Sequence, residues 1–201
     1  MKINEMPRQI NNLHDEIRKF KNNILNHQAY HELIMSDLKF LCNYNQACKV
    51  YYKQTGSRTF LFYGLKESDN YIGYFAYIEI QSNSLLKNSW CTQTLVWSCG
   101  NDDFSGISNW MIFNQYLPKF KTIMTDSFQS PDGERLWTQI VSKTAFKKNL
   151  NVYLLDFNEG EFELIKNVDS FDAILEDDNL NPWGKSAKHE NLKLAISLIE
   201  L

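Results

Sequence analysis

The run Thr122-Ile123-Met124-Thr125-Asp126-Ser127-Phe128-Gln129-Ser130-Pro131-Asp132-Gly133-Glu134-Arg135-Leu136-Trp137, continuing through Ile140, Val141 and Ala145, decides how the rest of the chain is read. Its pattern predicts a short buried strand over residues 122–125, a polar crossover and a helix over residues 131–148. Independent signals mark the start of that helix. Ser130 is a capping residue, Pro131 suits the first helical position, where a missing N–H costs nothing, and Asp132 and Glu134 complement the positive end of the dipole. A strand feeding directly into a capped helix leaves side chains and backbone N–H groups at its carboxyl end, where α/β proteins tend to keep their ligand sites.

Working outward, 201 residues with 43% hydrophobic and 22% charged side chains suffice for one globular domain with its own core. An aromatic share of 14% makes that core ring-rich and leaves rings to line a groove. The net charge of −3 argues against a broad footprint for duplex nucleic acid, and Lys147 with Lys148 is a pair, not a patch. Cys42, Cys48, Cys91 and Cys99 have no CxxC spacing and no signal-like apolar run precedes them, which predicts free thiols in a reducing cytoplasm. No apolar segment approaches the length that spans a bilayer, so no membrane partner is expected.

Residues 1–28 read as an amphipathic helix ahead of a single domain over residues 29–201. Ile10, Leu13, Ile17, Phe20 and Ile24 recur every three or four positions, and such a stripe either packs on the domain or pairs with another chain, as in a homodimer. His27 and His31 have the spacing of a metal pair, but no third ligand fits with them and no metal is assigned. Residues 30–35 read as a strand. From Leu38 the spacing of Leu41, Tyr44, Cys48 and Tyr51 predicts a helix stopped by Gly56.

Residues 59–65 and 71–80 are rich in β-formers and read as a hairpin around the 67–70 turn, with a third strand over 91–99. A polar loop over 101–106 leads into a helix from Ile107, capped by Ser105 or Ser108 and ended by Pro118. Beyond the opening stretch come a hairpin over 152–157 and 161–168, a short helix over 170–176 and an acidic turn. A last helix or strand carries Leu192, Ala195, Ile196 and Ile199.

This order of elements resembles that of the GNAT superfamily of acyl-CoA-dependent N-acyltransferases. The closer likeness is to small, often phage-encoded members. It rests on Thr125-Asp126 at a strand end, then Gln129-Ser130, the acidic glycine-containing helix start and Trp137, with Trp183-Gly184 and His189 near the close. The resemblance covers about residues 30–200. It implies an α+β fold with a central, mostly antiparallel sheet of about six to seven strands flanked by helices, and acetyl-CoA or CoA as cofactor.

In such a fold the N–H groups of the loop over 103–108 hold the donor's pyrophosphate, and a splay between the fourth and fifth strands admits the pantetheine arm. The donor-binding positions the resemblance implies are Val96, Trp97, Ser98, Phe104, Ser105, Gly106, Ile107, Ser108, Gln129 and Trp137. Two departures stand out. The loop has one glycine and the acidic Asp102 and Asp103, and Trp137 sits where many active members keep a Tyr acid.

Acyl transfer to an amine needs a base for the ammonium, a donor for the thioester carbonyl and an acid for the thiolate. Asp126 and Glu79 are candidate bases, the backbone N–H groups near Val96 and Trp97 the polarising donors, and Tyr153 or Tyr116 the acid. Each has a plainer reading: Asp126 as acceptor for its own loop, Glu79 as a solvent-facing strand residue. Cys99 ends a strand near a glycine, a placement that suits a nucleophile, but no nearby histidine activates it, and a buried thiol is the simpler reading. His189 reads as a hydrogen-bonded tail residue.

The departures open an alternative function: a degenerate scaffold that binds or inhibits a protein partner such as a host factor. A further reading uses the aromatic rings to stack single-stranded nucleic acid, against which the negative charge counts.

Overall fold

The computed structural model describes residues 38–69, 71–82, 90–98, 101–126, 129–183, 189 and 191–201. The helix expected over 7–26, the strand over 30–35, His27, His31, Cys99 and Gly184 lie outside the described residues.

The chain enters through an antiparallel hairpin, β1 (Lys39–Asn43) and β2 (Lys49–Gln54), where the spacing of Leu41, Tyr44, Cys48 and Tyr51 had pointed to a helix. The turn explains the correction. The Asn45 side-chain oxygen accepts the amides of Ala47 at 2.8 Å and Cys48 at 2.7 Å, and the Tyr44 amide closes on the Cys48 carbonyl at 2.9 Å. That local bonding competes with a helical ladder. Cys48, Val50 and Tyr51 are buried as the chain enters β2, which pairs antiparallel with both β1 and β3.

Next come β3 (Thr59–Lys66), β4 (Tyr71–Gln81) and β5 (Trp90–Ser98), then β6 (Thr122–Met124), β7 (Asn151–Asp156), β8 (Glu161–Ile165) and β9 (Leu192–Ser197). They form one sheet in the order β1-β2-β3-β4-β5-β6-β9-β7-β8. β5 and β6 run parallel, and the other pairings described are antiparallel. The expected GNAT-like architecture of six to seven strands flanked by helices is therefore corrected. The sheet has nine strands, and the described residues hold three longer helices and two single 3-10 turns in a strand-rich α+β arrangement.

The β1–β2 hairpin accounts for part of the difference, and β9, which the sequence leaves open as helix or strand, is a strand. All six residues of β9 are buried between β6 and β7. A strand covered on both faces reads as a nearly continuous apolar run, so its sequence lacks the alternation that would tell it from a helix.

The first helical segment, α1, joins three runs: Ile107–Met111, a π turn over Ile112–Tyr116, and Leu117–Phe120. Pro118 had been expected to end the helix, yet the helix runs through it. A proline clashes with the carbonyl four residues back and has no amide to give it. Here the preceding turn widens, the Leu117 amide bonding the Ile112 carbonyl, which relieves that conflict. The end comes at Lys121, with φ of 66°.

The second helix, α2, runs through Pro131–Ile140, Val141–Ala145 and Phe146–Lys148 and stops at Asn149 in a left-handed conformation. The third, α3 (Val168–Glu176), is capped by the Asn167 side chain, which accepts the Ser170 amide at 2.8 Å.

By contacts the described residues divide into two compact units. One holds residues up to Tyr77 with Val96–Ile107, the other Ile78–Leu95 with Ser108–Leu201. In the first, Tyr63 and Phe75 meet edge to face at 5.3 Å, and the buried Phe104 ring lies against Gly73, where a Cβ would overlap it. In the second, Trp90, Met124, Tyr153, Leu155 and Ala195 form a buried cluster with Phe157 and Leu201 packed on it.

Candidate functional site

Within the second unit, the carboxyl end of β6 is the point where the parallel ladder stops. Cys91 pairs with Ile123 and Thr92 with Met124; β6 then ends, while β5 runs on to Ser98. The chain stays stitched to β9 for one more residue. The Thr125 amide donates to the Leu194 carbonyl at 2.9 Å, and the Leu194 amide donates to Thr125 Oγ1 at 3.0 Å. Asp126, half-buried, is the next residue along.

The crossover then turns back on Asp126. Gln129 Nε2 donates to Asp126 Oδ1. Ser130 is extended and caps α2 as its sequence predicts, its Oγ accepting the Gly133 amide at 3.2 Å and its carbonyl the Glu134 amide at 2.9 Å. A Cβ on Gly133 would lie 2.6 Å from Gln129 Oε1, so the glycine leaves the space in which that amide sits. Arg135 meets Asp132 at 3.3 Å across an exposed turn, a contact of little energetic weight. Trp137 is buried, its ring part of the packing under α2.

The other two catalytic candidates stand apart. Thr92 Oγ1 donates to the Glu79 carbonyl at 3.4 Å, Thr92 pairs with Met124, Met124 with Ala195, and Ala195 with Tyr153. The backbones of Glu79 and Tyr153 are thus four strand spacings apart, about 19 Å. They cannot both reach one reacting atom, whereas Asp126 and Gln129 touch. Tyr153 is buried, meets Phe162 edge to face at 6.0 Å, and accepts the Leu201 amide at 3.4 Å through its hydroxyl. Glu79 is half-buried on β4, and Tyr116 is fully buried in α1. His189 Nε2 bonds the Asp178 carbonyl at 2.8 Å, in keeping with a tail residue.

In the first unit the loop after β5 is tied to the β1–β2 turn. Tyr44 Oη donates to the Ser105 carbonyl, and Asn45 Nδ2 to the Asp103 carbonyl at 2.8 Å. Ser105 at φ −59°, ψ 127° followed by Gly106 at φ 75° makes a type II turn, whose third position favours glycine. The amides of Asp103, Phe104 and Ser105 are taken by Asn101 Oδ1 (3.0 Å), the Asn101 carbonyl (3.0 Å) and the Asp102 carbonyl (3.1 Å). Of the implied donor-phosphate positions here, Gly106 is exposed and Phe104 and Ile107 are buried. Val96 is half-buried and Ser98 exposed, while the Trp97 side chain is outside the description; Ser108, half-buried, falls in the second unit. Asp103 itself is paired with Lys66.

Burial pushes the Cys91 thiol far above its ordinary range and raises that of Cys42. Cys91 lies wholly inside the sheet, where a thiolate is disfavoured, whereas Cys42 is half-buried. Burial lowers the Lys119 ammonium. Buried atoms without a hydrogen-bond partner among the described residues are Trp90 Nε1, Asn109 Oδ1 and Trp183 Nε1. No group of three metal-ligating side chains comes together among the described residues, and no described helix is long and apolar enough to cross a membrane.

Sequence reasoning passed over Tyr44, Asn45, Lys66 and Gly133. The first two were hidden by the helical reading of their segment, although an asparagine beside a β-rich run is a turn signal. Gly133 stands in the helix start, where nothing in the spacing marks the contact with Gln129. No family model matches the chain, and no curated protein or solved structure matches it.

Proposed function

We propose that the chain is an acyl-CoA-dependent N-acyltransferase acting on an amine at the carboxyl end of β6. The observation that carries this reading is the parallel β5–β6 pair in an otherwise antiparallel set of described pairings. It ends at Met124, two residues before a carboxylate anchored by Gln129. Adjacent parallel strands whose pairing stops leave an opening at their carboxyl ends, where ligands are accommodated.

When bound, acetyl-CoA supplies an activated acyl thioester. Asp126 binds the acceptor's ammonium group and takes a proton from it, and Gln129 fixes the carboxylate so that it meets the amine in one orientation. The residues present fit the donor's phosphates in part. The amides of Asp103, Phe104 and Ser105 are consumed within the loop, which leaves the exposed Gly106 as its implied phosphate contact. A cytoplasmic setting, where free thiols persist, belongs to the same reading.

The test is to incubate the full chain with acetyl-CoA and a panel of primary amines and to follow free thiol release. Thiol release that depends on amine and is lost in Asp126→Asn supports the reading; no release with any amine counts against it.

The inward-turned loop amides favour a second reading, a donor-free binding protein directed at another protein. Capture of one defined partner, with no response to CoA, would favour it over transfer.

A further inference from the structure

We infer that Gly133 and Gln129 form a latch that sets the direction of the Asp126 carboxylate, making both of them positioning residues of the acceptor site. The inference rests on the acyl-transfer reading for its functional meaning, but its geometry stands alone. Gln129 Nε2 donates to Asp126 Oδ1, and the other end of the same amide, Oε1, lies where a Gly133 Cβ would come within 2.6 Å.

An amide has one donor end and one acceptor end, so the side that meets Gly133 decides where the donor points. Gly133 is in the first turn of α2, and its amide is already committed to the Ser130 cap at 3.2 Å. Its backbone is therefore fixed, and the lack of a side chain leaves the room. Glycine within a helix is ordinarily unfavourable, and here the close approach of Gln129 supplies a reason for it. An alanine would suit the helix better but push the amide away. Oε1 is the end of a flexible side chain, so the strain is relieved by moving Gln129, not by unfolding α2.

The test is a side-chain amide NMR spectrum of the full chain between pH 3 and 7, for the wild type, Gly133→Ala, Gln129→Leu and the double variant. In the wild type the Gln129 Nε2 resonance is expected to follow the ionisation of Asp126. In Gly133→Ala that response is expected to vanish while the melting temperature holds or rises. Amine-dependent turnover should fall about 10–100-fold in Gly133→Ala and in Gln129→Leu, with no further loss in the double variant.

A Gln129 resonance in Gly133→Ala that still follows Asp126, or turnover losses that simply add, would overturn the latch. Should Gly133→Ala fail to fold, Gln129→Leu decides alone: an unchanged Asp126 carboxyl titration overturns the inference. The NMR readout needs no acyl donor, so a failure of the transfer reading leaves it intact and is recognised separately by the absence of CoA binding.

Discussion

Lys66 Nζ lies 2.9 Å from Asp103 Oδ2, joining the end of β3 to the loop that follows β5, with the two side chains 26% and 31% exposed. The Asn45 amide holds the Asp103 carbonyl, so the loop's backbone does not depend on the ion pair. Removing either charge should therefore cost no more than about 1 kcal/mol of stability. Anion affinity should respond more. Lys66→Met leaves a bare carboxylate beside the loop and should weaken CoA binding several-fold, whereas Asp103→Asn should tighten it. Calorimetric titration of CoA into both variants checks this, and weaker binding in Asp103→Asn would show that the loop does not receive the donor's phosphates.

Gly73 faces the ring of Phe104, which is almost completely buried, and an added Cβ would overlap that ring. Gly73→Ala should destabilise the chain by about 1–3 kcal/mol through overpacking. Phe104→Leu in the same chain should recover part of that loss, because the two sites share one volume. Urea unfolding of both single variants and the double gives the coupling. Additive losses would mean that the contact is not what limits position 73.

Tyr51 Oη donates to Glu67 Oε1, and Lys49 Nζ sits 2.6 Å from Glu67 Oε2. Burial, followed by the hydrogen bond to Glu67 and its charge, pushes the phenol from its ordinary 10.0 up to about 12. A group whose folded value is raised contributes stability that is whole below its unfolded value and lost as pH climbs through the folded one. The fold should thus lose stability between pH 10 and about 12 as this phenol is forced to ionise. Tyr51→Phe should cost about 1 kcal/mol near neutral pH and flatten that alkaline decline relative to wild type. Parallel wild-type and variant curves across this range would refute the assignment.

Much of the frame was legible in the sequence where one local signal governs. Ser130-Pro131 set the start of α2, Asn158-Glu159-Gly160 set the β7–β8 turn, and the β-rich runs gave β3, β4 and β5. It was illegible where tertiary burial overrode local pattern. β9 is buried on both faces, the β1–β2 hairpin has apolar spacing that also suits a helix, and α1 passes Pro118 through a widened turn that no residue announces.

The candidate site divides in the same way. Asp126 and Gln129 are three residues apart, so sequence places them together. Glu79 and Tyr153 are held four strands apart by the sheet order, which spacing in the sequence does not reveal. The roles of Gly133 and Lys66 depend on contacts that spacing alone does not contain.

The central claim, that the chain takes an acyl thioester donor, is tested most directly by titrating acetyl-CoA into the full chain by calorimetry. The account predicts a saturable one-site isotherm, with a dissociation constant inside the ~1 µM–1 mM span usual for enzyme substrates. The same donor in excess should raise the melting temperature. The absence of both binding heat and thermal shift at millimolar acetyl-CoA would contradict it.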